Sequence, residues 1–351
     1  MNKEFSASEY SLVREGGAGL IDLSSRGRIL VTGSETVMFL NGLITNDMKS
    51  LELNSWMPAA FTNVQGRLLA AVRIIHREDG FLIDTEAATR EAVMRLIERF
   101  TMAGDFKVAD ITEESAEQSV QGQSCREVID KVFGAPAADL ERQRSVTLDF
   151  EGVPVTLIRA THTGEDGFDV FVNRADLPSL RDALADAGAQ ATTEETLETL
   201  RIEAGIPRYG IDMDETNVVT ETNLDDAVSF TKGCYVGQEI IVRIKHRGHV
   251  AKKLTGIVLP DAMTVSRSAQ ISSADGKEIG RITSSAFSPK LNRAIALGYV
   301  KYDYLAPGTA VKISSADDET EGAVTELPFV RGSWYGDSRT AIGGERDQKA
   351  M

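Results

Sequence analysis

The chain has 351 residues, and its 53 acidic side chains outnumber 38 basic ones, which gives a formal net charge of −15. Hydrophobic residues make up 42% of the sequence, a share that argues against a disordered chain and supports two or three domains with buried cores. The acidic balance argues against a nucleic-acid-binding protein, and no apolar run is long enough to suggest a membrane span.

Residues 1–112 predict strands mixed with helices. Apolar runs predict strands over 20–23, 28–32, 61–64, 68–75 and 80–84, and helical spacing predicts helices after Ser34 and over 87–101. In the first helix, capped by Ser34, we expect Val37, Met38 and Leu40 to face inward. Residues 112–123 are polar and predict a linker or a solvated helix.

Residues 113–250 predict a second α+β unit. Strands over 153–159 and 168–172 flank a turn at 163–167, and Asp176 and Thr192 mark the starts of two helices. No GxGxxG follows a strand, so a dinucleotide-binding sheet is not supported. Residues 251–335 carry short strands separated by turn residues and predict a small β-barrel, and residues 336–351 predict a disordered tail.

The segment Lys232-Gly233-Cys234-Tyr235-Val236-Gly237-Gln238-Glu239 has an unusual composition, with glycines on both sides of the Cys-Tyr pair. It opens a basic stretch, in which residues 232–253 hold six Lys or Arg, Arg243 among them, against one acid. Such a local inversion of charge would attract an anionic ligand. Composition alone still favours a plainer interpretation, in which Cys234 is a small buried hydrophobe and the basic residues form a solvated face.

The number and spacing of cysteines and histidines limit which metal sites the chain can form. The two cysteines, Cys125 and Cys234, have no CxxC spacing, so no self-contained cysteine metal site is expected. With no apolar leader at the N-terminus, the compartment predicted is the cytoplasm. His246 and His249 could share a helical face, but a metal site would need further ligands, and no metal is predicted.

The segment 232–239 resembles the signature of the YgfZ-type folate-binding family, a relative of the glycine cleavage T-protein, which is an aminomethyltransferase. Further similar segments run in consistent order from about residue 19 to residue 300. These segments are 19–27, 39–47, the turn Thr163-Gly164-Glu165-Asp166-Gly167-Phe168, and the RxEAGxPxYGxD element at 201–212.

The resemblance implies an α+β fold of two ferredoxin-like subdomains around a central hole, followed by the C-terminal barrel. Residues 1–112 and 113–250 would be the two parts of the folate-binding unit. The expected ligand is tetrahydrofolate or a polyglutamylated one-carbon folate, bound by Glu221, Asn223 and Arg243. A pterin edge presents adjacent N–H donors that one carboxylate, here Glu221, can accept in bidentate fashion.

One departure separates the branches of this superfamily. Leu69 and Ala70 stand where the T-protein strand carries an acidic pair, one member of which is catalytic. Neither side chain can assist proton transfer. The resemblance therefore implies loss of the aminomethyltransferase chemistry, and it favours a folate-binding accessory protein over an enzyme. Such a protein would support assembly or repair of Fe–S proteins through the thiol of Cys234, with Fe–S proteins or cluster carriers as partners. The alternatives are a folate-dependent aminomethyltransferase and an interaction module that binds no ligand.

Overall fold

The computed structural model describes residues 5–102, 104–315 and 319–336. The predicted disordered tail, beyond Gly336, lies outside the described residues. The helices are α1 Ala7–Arg14, α2 Thr36–Leu43, α3 Arg90–Glu98, α4 Cys125–Phe133, α5 Ala135–Ala138, α6 Leu177–Asp186, α7 Glu194–Glu203 and α8 Gln238–Arg247. Within the described residues, no helix is both long and apolar enough to cross a membrane.

The strands form a six-stranded sheet, a five-stranded sheet and a closed barrel. The strands are β1 Ala18–Asp22, β2 Gly27–Thr32, β3 Ser55–Thr62, β4 Leu68–Arg77, β5 Gly80–Thr85, β6 Lys107–Asp110, β7 Ser115–Gln121, β8 Ser145–Phe150, β9 Val153–Arg159, β10 Gly167–Asn173, β11 Ala189–Ala191, β12 Lys252–Val258, β13 Gln270–Ser273, β14 Glu278–Ser288, β15 Arg293–Lys301, β16 Ala310–Ser314 and β17 Glu319–Thr325. The sheet orders are β11-β1-β7-β10-β9-β8 and β3-β4-β5-β2-β6, and the barrel order is β12-β15-β14-β13-β16-β17. The α+β fold with a C-terminal barrel, predicted from the sequence, is confirmed.

Alternation along the strands buries both faces of each sheet. On β4, Val72 and Ile74 pack into the core beneath α2 and α3, whereas Ile75 joins Leu82 and Phe171 in a core between the two sheets. The outer face of the six-stranded sheet packs against α4 and α6. The two sheets therefore meet face to face, each with its helices on the outside. The predicted division at residue 112 stays a prediction, and β1, from the first segment, lies in the six-stranded sheet.

A cluster of buried charges crosses this contact between the sheets. Arg73 of β4 reaches Asp84 at 2.6 Å and Glu117 at 2.7 Å, and it also pairs with Asp169. His162 lies 2.9 Å from Asp169. Glu117, His162 and Asp169 place ligand atoms within 4.8 Å of one another, as a metal site would. The guanidinium of Arg73 already contacts both carboxylates, so the group is an ion-pair cluster.

This cluster explains an error in the sequence analysis. The prediction of a linker or solvated helix over 112–123 is wrong, because β7 occupies 115–121 and every one of its residues is buried. β7 lies between β1 and β10 in the sheet. Its polar side chains, Glu117 among them, are buried because partners on other strands meet them, which composition alone does not reveal.

Three other local predictions fail. Met38 is exposed rather than inward-facing. Ser34 does not cap α2, because its hydroxyl bonds Asp105 at 2.9 Å and Glu35 takes the capping position. His246 lies in the last turn of α8, and Gly248 ends that helix in a left-handed conformation. His249 therefore lies outside the helix, where it stacks on Tyr302, and the two histidines do not share a helical face. Strand β4 and helices α6 and α7 lie close to where they were predicted, but β3 is Ser55–Thr62 rather than 61–64, and Thr193 rather than Thr192 caps α7.

Two of the sequence motifs make buried contacts that join separate parts of the chain. In the RxEAGxPxYGxD element, Arg201 pairs with Asp212 at 2.7 Å and donates to Ser284 of the barrel at 2.9 Å. In the same element, Glu203 pairs with Arg14 at 2.8 Å, and Arg14 also reaches Glu165 of the 163–168 turn at 2.8 Å. These buried contacts fix α7 against α1, the turn and the barrel.

Candidate functional site

Glu221 ends a short 3₁₀ turn, Val219–Glu221, that lies against β12 at the junction of the sheets and the barrel. Its side chain is 7% exposed, and Oε2 accepts a hydrogen bond from the Val218 N–H at 3.2 Å. Burial raises the pKa of this carboxyl, while the nearby positive charges of Lys252 and Arg67 oppose the rise. The turn thus holds a nearly buried carboxylate next to two cations.

Three buried hydroxyl groups have no hydrogen-bond partner among the described residues: those of Thr220 in the Glu221 turn, Tyr235 in the motif loop and Tyr299 on β15. Tyr235 belongs to the same apolar cluster as Val219 of the turn. Burial raises the pKa of Tyr299, and the negative charge of Glu221 adds to the rise. A buried polar atom without a partner costs free energy that a bound ligand can relieve. The region is therefore equipped for a polar ligand.

Asn223 and Arg243, predicted alongside Glu221, have other partners. Asn223 adopts a left-handed backbone conformation, and its amide donates to the Leu254 carbonyl at 2.9 Å, which ties the loop to β12. Arg243 pairs with Glu239 one turn earlier on α8, at 2.6 Å, and both side chains are exposed. The structure records no contact from either residue to Glu221. Their role in folate binding stays a prediction.

Lys232 has a structural function in the motif loop. Its ammonium donates to the carbonyls of Asn41, Ile44 and Asn46 at 2.7, 3.0 and 2.6 Å, which satisfies the C-terminal end of α2. Burial lowers the pKa of Lys232 to about 8, and the charge of Asp47 opposes the shift. The motif loop is thus anchored to the five-stranded sheet unit through α2.

The two glycines of the motif differ in what they permit. Gly237 has φ +86°, and a Cβ there would lie 2.6 Å from the Asn63 carbonyl and 3.0 Å from Gly66 in the β3–β4 hairpin. A side chain at Gly237 would separate α8 from that hairpin. Gly233 needs no such freedom, because a Cβ there would meet nothing within 4 Å. Of the two glycines, only Gly237 therefore needs the absence of a side chain.

Cys234 and Tyr235 are neighbours with opposite environments. Cys234 is exposed, so its composition-based interpretation as a small buried hydrophobe is wrong; Cys125 is the buried cysteine. Tyr235 packs with Val219 and Ile241 in one apolar cluster. Because Val219 begins the turn that ends at Glu221, the motif and the carboxylate share a packing unit. Gln238 begins α8 directly after Gly237.

The strand that would carry the acidic pair is apolar here. Ala70 of β4 is fully buried, and Leu69 packs partly buried against the core of the five-stranded sheet. Neither position offers a group that gains or loses a proton. The sequence analysis missed Tyr299 and Thr220, which carry no motif, and it noticed Lys252 only as part of the basic stretch.

The family described as GCVT N-terminal domain matches residues 2–232, and the glycine cleavage T-protein C-terminal barrel domain matches residues 252–331. An aminomethyltransferase of Rubrobacter xylanophilus is 33% identical over 84% of this chain and 78% of its own length. An aminomethyltransferase of Streptomyces avermitilis is 31% identical over 90% of this chain and 87% of its own length. The crystal structure of glycine cleavage system aminomethyltransferase T from Bartonella henselae superposes with a TM-score of 0.84, at 22% identity over 92% of this chain and 89% of that one. That superposition confirms the fold.

Proposed function

This chain belongs to the glycine cleavage T-protein family, and we propose that it binds tetrahydrofolate, with Glu221 holding the pterin edge. Aminomethyltransferases of the family use tetrahydrofolate as the acceptor of a one-carbon unit. The narrower YgfZ-type assignment, made from the motif, has no support in these comparisons and stays part of the proposal.

The observation that carries the proposal is the nearly buried carboxylate of Glu221 among unpartnered hydroxyls. A carboxylate can accept two adjacent N–H donors of a pterin, and the hydroxyls of Thr220, Tyr235 and Tyr299 can pair with further ring atoms. Burial raises the pKa of Glu221, and the charges of Lys252 and Arg67 oppose that rise and so favour the ionised carboxylate. When bound, the folate would supply the nitrogen atoms that carry the one-carbon unit, and the protein would orient the ring and exclude water.

Aminomethyl transfer to tetrahydrofolate is the first activity to test, because the relatives carry that name. It needs a proton donor or acceptor other than residues 69 and 70, since Leu69 and Ala70 are apolar. A second candidate is the Fe–S accessory role. One observation favours it, the exposed thiol of Cys234 on the loop whose Tyr235 packs beside the Glu221 turn.

The binding proposal is tested by calorimetric titration of tetrahydrofolate into the wild type, Glu221→Gln and Glu239→Gln. We expect Glu221→Gln to weaken binding by roughly 10–100-fold, because it loses charge-assisted hydrogen bonds. Glu239→Gln removes an exposed carboxylate on α8 and should bind as the wild type does. A folded wild type that binds no tetrahydrofolate would refute the proposal and favour the interaction-module alternative.

The two activities are separated by a coupled assay with an aminomethylated lipoyl carrier and tetrahydrofolate. Turnover by the wild type that persists in Cys234→Ser would establish the aminomethyltransferase. If binding is intact but turnover is absent, cells lacking the protein should lose Fe–S enzyme activity under oxidative stress. Wild-type protein should restore that activity and Cys234→Ser should not; full rescue by Cys234→Ser would remove the accessory role.

A further inference from the structure

A cavity lies between the two sheets, lined by elements other than the Glu221 turn and the motif loop. Its volume is about 370 Å³, within the range of small-molecule sites. The β4–β5 hairpin closes one side, and β8, β9 and β10 close the other. Its apolar wall includes Leu82, Ile111 and Phe171, and its polar wall includes Arg28, Thr147 and Thr156.

Arg28 of β2 is the unusual group in this wall. Its side chain is fully buried, yet Nη1 has no hydrogen-bond partner among the described residues. Its other nitrogens bond only neutral acceptors: Nε donates to the Ser115 hydroxyl at 2.7 Å, and Nη2 donates to the carbonyls of Ser24, Thr112 and Ser115 at 2.9–3.1 Å. Burial lowers the pKa of this guanidinium.

A second guanidinium approaches the same place. Arg174 follows β10 and donates to the Thr112 carbonyl at 3.4 Å, the same oxygen that Arg28 bonds at 2.9 Å. Within the part of the chain that the structure describes, no carboxylate forms an ion pair with either arginine. Arg77 at the cavity rim is paired with Asp79, which leaves Glu78 as the unpaired carboxylate there. The lining arginines Arg28 and Arg77 thus match the carboxylates Glu78 and Asp79 in number, and Arg174 beside the cavity adds one positive charge. The charges of Glu117 and Asp84 also act on Arg28, but both carboxylates pair with Arg73.

We propose that this cavity binds a small organic carboxylate, with its charged group at Arg28 and its apolar body against Leu82, Ile111 and Phe171. A buried guanidinium surrounded by neutral acceptors, one of its N–H groups unpaired, is stabilised by an anion that enters the same cavity. The hydroxyls of Thr147 and Thr156, on β8 and β9, are hydrogen-bonded to each other at 3.4 Å, so the one that accepts can donate its own proton to a carboxylate oxygen. The site is separate from that of Glu221.

The test is calorimetry of the full chain with three probes: pentanoate, the neutral pentanamide, and inorganic phosphate. We expect saturable binding of pentanoate at one site, with pentanamide and phosphate at least about tenfold weaker, because a charge-assisted hydrogen bond and an apolar body are both required. No binding of pentanoate, or equal binding of pentanamide or phosphate, would overturn the proposal.

Variants locate the site. Arg28→Lys should weaken pentanoate by about tenfold or more, since it loses the planar fork. Because a change at this buried residue can impair folding, Thr147→Phe supplies an independent variant: Thr147 is exposed on β8 and lines the cavity, so the ring should fill its mouth. Thr147→Ser keeps the hydroxyl and should bind within about twofold of the wild type. Tetrahydrofolate binding, measured on the same variants, reports on the Glu221 site independently. If Thr147→Phe binds pentanoate as the wild type does, the anion binds elsewhere and this site is refuted.

Discussion

The contact between the sheets and the turn at Glu221 both bury charge, but they satisfy it differently. At the contact, Asp84, Glu117 and Asp169 each face the guanidinium of Arg73, so protein groups supply the countercharge. At the turn, Glu221 keeps one backbone hydrogen bond, and the nearby hydroxyls have no partner. The charges at the contact are compensated by Arg73 and its neighbours, although Glu117 Oε2 has no hydrogen-bond partner among the described residues. At the turn no arginine or lysine forms an ion pair with Glu221 among the described residues, which leaves its carboxylate available to a ligand.

Removing the centre of the complete cluster should have the largest effect. Arg73→Met leaves three buried carboxylates without their shared cation, and we expect the free energy of unfolding to fall by about 3–5 kcal/mol. Urea denaturation measures this change. Arg77→Met, on the same strand, removes a peripheral pair with Asp79 and should cost about 0–1 kcal/mol. Equal losses in the two variants would contradict the distinction between a cluster that is essential to the fold and a surface pair.

A variant of Lys232 tests whether the motif loop, like the Arg73 cluster, is held by contacts within the protein. Lys232→Met removes three hydrogen bonds to the carbonyls that end α2, and we expect a loss of about 1–3 kcal/mol in the free energy of unfolding. Lys245→Met on exposed α8 is the matched control and should stay within about 0.5 kcal/mol of the wild type. If Lys232→Met is as stable as its control, the three hydrogen bonds of Lys232 do not anchor the motif loop.

The stability of the ligand-free protein should depend on pH through the carboxyl group of Glu221. Burial raises the pKa of its carboxyl above the usual 4.5, so the folded state holds the proton more tightly than the unfolded state. Its contribution to stability is then complete below the unfolded pKa and is lost as pH rises through the folded pKa. Without folate, Glu221→Gln should therefore gain stability relative to the wild type as pH rises from about 4 to 7. A gain on acidification instead would show that the carboxylate is stabilised by the protein itself.

The smallest effect on stability is expected at Cys234. The urea concentration at the midpoint of unfolding should be the same for Cys234→Ser as for the wild type, because the side chain is exposed. A thiol reagent should modify one cysteine rapidly in the native protein and the second only on unfolding, since Cys125 is buried and burial raises the pKa of its thiol. Two rapidly reacting thiols in the native wild type would contradict this assignment.

The sequence predicted best where neighbours along the chain decide the structure. Alternating apolar residues located the β3–β4 hairpin, and the short strands of the barrel were recognised from their turns. It failed at β7, because a polar strand is buried only when distant residues such as Arg73 and Arg26 supply partners. Tyr299 escaped notice for a similar reason: its lack of a partner is visible only when the barrel has been placed against the Glu221 turn.

The position of β1 has a consequence for how the chain reaches its native state. β1 lies inside the six-stranded sheet, with β7 on one side and β11 on the other, and it pairs with β11 in parallel, Ala18 opposite Ala189. On a ribosome adding about 5–20 residues per second, β1 waits roughly ten to thirty-five seconds for that partner. Until then its edge is open to pairing with other strands. The emerging chain should therefore depend on chaperones most strongly before α6 and β11 have been made.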